Sequence, residues 1–226
     1  MGRNESMIIV SMTSWPKRIG NVATVVQSLL NQDVKPDIIQ INLSHEEFPH
    51  ESCLPSDLIQ LIIHNPEVQI EWVDRNDGVF KKIIPTLKKY YNEDYLLLSV
   101  DDDRIYRHDY IKMMIEFLEK YNADAFCLFR PLIIGNRMIY KSSCFKSDFW
   151  EKLTPEVIST RIDDTYIEHY LHSYNKKIAG FRPDDTPDIT KKFNPVHPNS
   201  QNTATGEYSA ADIARANKII KAIEFV

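Results

Sequence analysis

The chain is poor in cysteine. Cys53, Cys127 and Cys144 are far apart and odd in number, too few for a disulfide framework. None stands in the Cys-x-x-Cys or Cys/His spacing that would hold zinc. Such usage suits a reducing, cytoplasmic setting. Glycine is also scarce: there are 6 in 226 residues and none clustered near Met12, which counts against a Gly-rich phosphate loop after the first strand. Positive charge is not in excess, since Lys+Arg 27 against Asp+Glu 32 leaves a net charge of −5, and general nucleic-acid binding needs a basic surface. No apolar run approaches the roughly 18 residues that span a bilayer. The polar stretch Met1-Gly2-Arg3-Asn4-Glu5-Ser6 leads straight into an apolar strand rather than into a signal-peptide core, and its weak likeness to a myristoylation pattern is set aside. No repeat or low-complexity tract is present. The 43% hydrophobic and 26% charged residues are those of an ordinary globular protein, and 226 residues suit one domain, or one domain with a small appendage, with a sizeable core.

What is present first is an alternation of strand and helix. Residues 7–11, 38–43, 69–73 and 95–100 read as strands. Between and after them, Val22, Val25, Val26, Leu29 and Leu30 recur at helical spacing, residues 56–64 suggest a short helix, and 81–91 and 108–121 are amphipathic. Ile84, Leu87 and Tyr91 are expected on one face of the third helix. This order predicts βαβ units and a parallel sheet. Beyond about Asp124 the pattern changes. Residues 125–130 and 137–141 read as strands around a Gly135-Asn136 turn, followed by a helix at 163–173, a strand at 177–182, a long Pro/Asn/Asp/Thr-rich loop at 183–208, and a helix from Ala210 to Phe225.

The most informative segment is Tyr95-Leu96-Leu97-Leu98-Ser99-Val100 followed by Asp101, Asp102 and Asp103. A strand this apolar is expected to be buried on both faces. Three like charges at its mouth repel unless something cationic sits there, and open α/β sheets bind ligands outside the carboxyl ends of their strands. Hard oxygen ligands suit Mg2+ or Mn2+ held by one or two carboxylates plus substrate phosphates. The alternative is a solvated acidic turn that caps the next helix.

Several segments together resemble bacterial nucleotide-sugar-dependent glycosyltransferases of the GT-A fold, family 2-like and bearing an Asp-x-Asp motif. They are Ser11-Met12-Thr13-Ser14-Trp15-Pro16-Lys17-Arg18-Ile19, Gln27-Ser28-Leu29-Leu30-Asn31-Gln32 with Lys35-Pro36-Asp37, Asp77-Gly78-Val79-Phe80-Lys81-Lys82-Ile83-Ile84-Pro85, and Val100-Asp101-Asp102-Asp103-Arg104-Ile105-Tyr106. The resemblance implies a single GT-A-type domain over 1–226: a Rossmann-like, mostly parallel sheet flanked by helices. Its nucleotide-sugar-binding half would lie at about 7–122 and its acceptor-binding half at about 123–226.

It also implies site roles. Asp103 and Asp101 would hold Mn2+ or Mg2+ against the nucleoside diphosphate, Asp103 in direct contact and Asp101 nearer the ribose. His197 in the long loop is a candidate to complete the metal shell. Thr13, Ser14, Arg18, Asp77, Lys82, Asp101 and Asp102 are candidate nucleotide-sugar contacts, with Lys81 the alternative to Lys82. Among these Asp102 is expected to tolerate substitution best, because its side chain turns to the other side of the strand end. Thr13, Ser14 and Arg18 can otherwise be a helix cap with a solvated arginine, and the lysine can simply face solvent. Asp164 is the candidate base for the acceptor hydroxyl and Asp163 an acceptor contact or cap, although Asp at a helix start is favourable in itself. The acidic pair that usually contacts the base after the second strand of such enzymes is replaced here by Asn42-Leu43-Ser44, which leaves the nucleotide open.

The expected function is metal-dependent transfer of a sugar, inversion favoured, from a nucleoside-diphosphate sugar (UDP-sugar favoured) to a carbohydrate or glycolipid acceptor in surface polysaccharide synthesis. That places the enzyme in the cytoplasm or peripherally at the inner membrane face, with 183–208 a candidate lid and the oligomeric state open. A nucleotidyltransferase or phosphotransferase using the same carboxylates and a non-catalytic carbohydrate-binding protein are the alternatives.

Overall fold

The computed structural model describes residues 6–128, 137–181 and 209–225. Seven strands form one sheet: β1 (Met7–Thr13), β2 (Ile38–Ser44), β3 (Val68–Val73), β4 (Tyr95–Ser99), β5 (Ala125–Cys127), β6 (Met138–Lys141) and β7 (Ile178–Gly180). Their order is β3-β2-β1-β4-β6-β5-β7. All pairings are parallel except those of β6, which runs antiparallel to β4 and β5. The chain starts a strand at the centre, winds outward to β3, and returns across β1 to β4. The exit of β4 therefore lies beside the exit of β1, with Ser11 opposite Ser99.

Alternation along the strands builds a core on each face. Val10, Met12, Ile39, Ile41, Leu43, Leu98 and Val100 meet α1 (Ile19–Leu30), α2 (Ser56–His64) and α4 (Tyr110–Lys120). Ile9, Tyr95, Leu97, Met138 and Tyr140 meet α3 (Ile84–Lys89), α5 (Asp148–Glu151), α6 (Pro155–Thr160), α7 (Asp163–Ser173) and α8 (Ala210–Lys221). Leu97 and Leu98, both wholly buried, face opposite ways, as a two-sided strand requires. At about 1.5–3 kcal/mol for each large apolar side chain buried, β4 anchors both layers.

Two expectations change. The helix expected over 81–91 is instead a 3-10 turn, Gly78–Lys82, followed by the six-residue α3. Pro85 sits in the first turn of α3, where its missing N–H costs nothing, and Gly78 takes the left-handed φ of 60° that opens the preceding turn. Tyr91 consequently lies beyond the helix and is 42% exposed rather than on its buried face. The short helices α5 and α6 between β6 and α7 have no counterpart in the periodicity. The Gly135-Asn136 turn, the 183–208 loop and His197 lie outside the described residues.

Candidate active site

The loop leaving β1 turns back at Trp15-Pro16, where the Arg18 and Ile19 amides donate to the Trp15 carbonyl at 2.9 and 3.0 Å. That turn swings Arg18 over the end of β4. Arg18 Nη1 lies 2.9 Å from Asp102 Oδ1 and 3.1 Å from Asp103 Oδ2. Ser14 Oγ donates to Asp102 Oδ2 at 2.6 Å. Arg18 is thus neither solvated nor a side-chain cap, and its charge answers the repulsion within the triplet. Asp102 faces Arg18 and Ser14, not Lys82, but it shares Arg18 with Asp103, so the turn after β4 groups Asp102 with Asp103 and sets Asp101 apart, where strand alternation would have paired Asp101 with Asp103. The buried Asp102 carboxylate nevertheless makes two charge-assisted bonds that tie the β1 loop to the β4 loop, which argues against the expectation that it tolerates substitution best. Burial pushes the Asp102 carboxyl up, against the pull of Ser14 and Arg18.

Asp101 belongs to a second cluster. Its Oδ1 lies 2.9 Å from Lys82 Nζ, which is also 3.9 Å from Asp163 Oδ2 at the start of α7. Burial alone would lower the Lys82 pKa, but Asp101, Asp163 and Asp164 outweigh it and hold the ammonium well above the usual lysine value. Conversely, burial raises Asp101, and Lys82 with Arg137 and Arg104 more than reverses that, leaving it lowered. Asp163 goes the other way: burial and the charge of Asp101 raise it despite Lys82 and the backbone amides of the helix start. The backbone N–H of Asp101 donates to the Tyr106 hydroxyl at 2.8 Å, fixing the bend after β4. Asp164 is buried in the same first turn of α7.

The remaining candidates are placed as follows. The Thr13 hydroxyl donates to the Asn42 carbonyl at 2.8 Å, so its proton is spent on the β1–β2 join. Asp77 pairs with Arg75 at 2.5 Å and precedes the 3-10 turn. Lys81 turns away from the triplet: its Nζ donates to Asn76 Oδ1 at 2.7 Å and pairs with Glu47 at a short contact. Of the two adjacent lysines, Lys82 is therefore the one at the aspartates.

Two residues not singled out in the sequence belong here. Arg104 Nε lies 3.6 Å from Asp103 Oδ1, and the buried Arg137 acts on Asp101 through its charge. An arginine directly after an acidic triplet was a usable signal for Arg104, whereas Arg137 arrives through the β4–β6 pairing, which has no local trace. Arg18 Nε is buried without a hydrogen-bond partner among the described residues, while the buried Arg104 Nε has its ion pair with Asp103.

Among the described residues no group of three or more His, Cys, Asp or Glu side chains is arranged to hold a metal ion. A nucleotide-bound divalent cation needs only one or two carboxylates, the rest coming from phosphates and water; Asp101 and Asp103 are of that donor type, each paired in this structure with a cationic side chain, Lys82 and Arg18 respectively. Among the described residues no helix is long and apolar enough to cross a membrane.

No protein-family model matches the chain, and no curated protein matches it in sequence. Solved structures do. The mannosyltransferase PcManGT from Pyrobaculum calidifontis, in complex with GDP-Man and Mn2+, aligns with a TM-score of 0.58 at 11% identity over 80% of this chain and 56% of its own. S. aureus TarS 1-349 in complex with UDP-GlcNAc aligns with a TM-score of 0.55 at 13% identity over 77% of this chain and 56% of its own. The same protein with UDP gives a TM-score of 0.51 at 12% identity. The chain thus spans a little over half the length of these proteins. At such identities the likeness establishes the fold: a GT-A-type α/β sheet of the kind found in glycosyltransferases.

Proposed function

We propose that this chain transfers a sugar from a nucleoside-diphosphate sugar to an acceptor hydroxyl, using the mouth of β1 and β4. The observation that carries this reading is Arg18 bridging Asp102 and Asp103 beside the Lys82–Asp101–Asp163 cluster, in a fold shared with structures solved with GDP-Man or UDP-GlcNAc. Arg18, Arg104 and Lys82 supply cationic groups for the diphosphate. The Ser14 hydroxyl retains lone pairs for the nucleotide. Asp103, with Asp101, would hold Mn2+ or Mg2+, which when bound stabilises the negative charge growing on the departing diphosphate.

Asp164 takes the proton of the acceptor hydroxyl as its oxygen attacks the anomeric carbon. The bond from that carbon to the diphosphate oxygen breaks, and the electron pair leaves with the nucleoside diphosphate. Attack opposite the leaving group inverts the anomeric centre. Asp163, adjacent on the same helix turn, contacts the acceptor while Lys82 keeps it oriented. The acceptor is a saccharide or glycolipid, reached in the cytoplasm or peripherally at a membrane. The half ending near residue 122 carries the donor and the remainder the acceptor. The test is donor turnover without acceptor: release of UDP from UDP-sugars, then of GDP from GDP-sugars, with Mn2+ present. Release that falls at least about a hundredfold in Asp164→Asn with donor affinity unchanged supports the base assignment. Absence of release from every donor refutes the reading.

A further inference from the structure

A buried polar network lies directly behind Lys82. It joins Ser11 on β1, Gln40 and Asn42 on β2, and Thr86 on α3, all of them wholly buried. In strand β2 the alternation Ile38-Gln40-Asn42 places polar side chains on a face that α3 covers, while Ile39, Ile41 and Leu43 enter the opposite core. Polar groups buried in this way are destabilising unless each finds a partner, so the network must be read proton by proton.

Ser11 Oγ lies 2.5 Å from the Lys82 carbonyl and 2.6 Å from Thr86 Oγ1. A carbonyl can only accept, so the single Ser11 proton goes to Lys82 and the Thr86 proton must go to Ser11. Asn42 Nδ2 donates toward Ser11 Oγ at 3.0 Å and toward the same Lys82 carbonyl at 3.2 Å. Gln40 Nε2 donates to Asn42 Oδ1 at 2.8 Å, which fixes the direction of the Asn42 amide, and to Thr86 Oγ1 at 2.7 Å. The protons run from Gln40 and Thr86 through Asn42 and Ser11 toward one main-chain oxygen, with Asn42 Nδ2 also 3.2 Å from Thr86 Oγ1 and Gln40 Oε1 left without a partner among the described residues.

We propose that Ser11 and Asn42, oriented by Thr86 and Gln40, are positioning residues that clamp the Lys82 main chain and so set its ammonium between Asp101 and Asp163. Lys82 sits at the end of the 3-10 turn Gly78–Lys82, where repeating helical hydrogen bonds give way to the irregular Ile83. Without the clamp its carbonyl has no such anchor, and the side chain would sample positions away from Asp101. Lys81, one residue earlier, is held by a different set, Glu47, Asn76 and Ser44, and serves as an internal control.

The functional consequence rests on the glycosyltransferase reading, but the clamp is testable without it. Acetylation of the full chain with acetic anhydride, resolved residue by residue through peptide fragmentation, compares Lys82 with Lys81. In Ser11→Ala, a nearly volume-neutral change, Lys82 should label about fivefold faster or more, the scale of one net hydrogen bond, while Lys81 keeps its rate. Thr86→Val serves if Ser11→Ala does not fold, with the same expectation. Unchanged labelling of Lys82, or an equal rise at both lysines, overturns the proposal. Where nucleotide release is measurable, Ser11→Ala should lower it in the wild-type background and have no further effect in Lys82→Met; additive losses also overturn the clamp. A chain that releases no nucleotide refutes the donor reading alone and leaves the labelling result to decide the clamp.

Discussion

At the scale of single residues, the site is a matter of which cation answers which carboxylate. Asp102 was legible as part of an acidic cluster, but its partners were not, because Ser14 and Arg18 lie more than eighty positions away in sequence. Replacing it leaves Arg18 with Asp103 and strands Ser14, so Asp102→Ala should lose about 1–3 kcal/mol in urea unfolding, the scale of lost hydrogen bonds to a buried carboxylate. A loss under about 0.5 kcal/mol would restore the view that it tolerates substitution. Lys82 offers a second test, through pH. It holds its proton more tightly folded than unfolded, so the stability it contributes is complete below its ordinary pKa of 10.5 and is lost as pH rises beyond it. Asp101, lowered, contributes above its ordinary 3.8 and loses this as pH falls, whereas Asp163, raised, becomes a burden as pH rises from 3.8; the two oppose one another and blur the acid limb. The alkaline limb is cleaner. The buried Tyr106, Tyr110 and Tyr140 are all raised by burial and lose stability in the same direction as pH rises, and the Lys82 charge, which holds Tyr110 and Tyr140 down, is removed in the variant. Lys82→Met should therefore be about 3–5 kcal/mol less stable at neutral pH, with the gap narrowing above pH ~10.5. A gap independent of pH would contradict the pairing.

At the scale of elements, strands and long helices were readable where one period ran long enough. Helices α2 and α7 fall on the residues expected, 56–64 and 163–173, and the βαβ order gave the parallel half of the sheet. Helices α5 and α6, of four and six residues, are too short to display a 3.6-residue period, and nothing local told them from loop. Their role emerges only from packing. Phe149 on α5 is wholly buried, with ring centroids 4.8 Å from Phe145, 5.2 Å from Tyr166 and 4.8 Å from Tyr170, and the Tyr166 hydroxyl donates to its carbonyl at 2.6 Å. This ring cluster seats α7, and with it Asp163 and Asp164. Phe149→Ala should cost about 3–5 kcal/mol in urea unfolding, and a cost below about 1 kcal/mol would show that α7 is seated by other contacts. The polar residues Gln40 and Asn42 carry no local sign of their burial: alternation in a strand ordinarily marks a solvent face, and only α3 lying over them reveals a buried network.

At the scale of the whole molecule, the two cores hold β1 and β4 side by side, and everything proposed for function sits where both strands end. The long-range pairings that deliver Arg18, Lys82, Arg137 and Asp163 to one place are set by topology, which is why most members of the site could be named from the resemblance while Arg137 and the pairing of each cation with its carboxylate could not. The fold is shared with glycosyltransferase chains of which it covers a little over half, so the donor site is the part on which this chain must first be judged. The most direct measurement is a thermal shift with UDP and GDP, each with and without Mn2+, on wild type and Asp103→Ala. A ligand at about 100 times its dissociation constant stabilises by about 2.7 kcal/mol, which for a chain of this size raises Tm by about 5–10 °C. The account predicts such a rise for wild type with one nucleotide and Mn2+ together, and its loss in Asp103→Ala. A wild type indifferent to both nucleotides, or an Asp103→Ala variant that retains the full Mn2+-dependent rise, would contradict it.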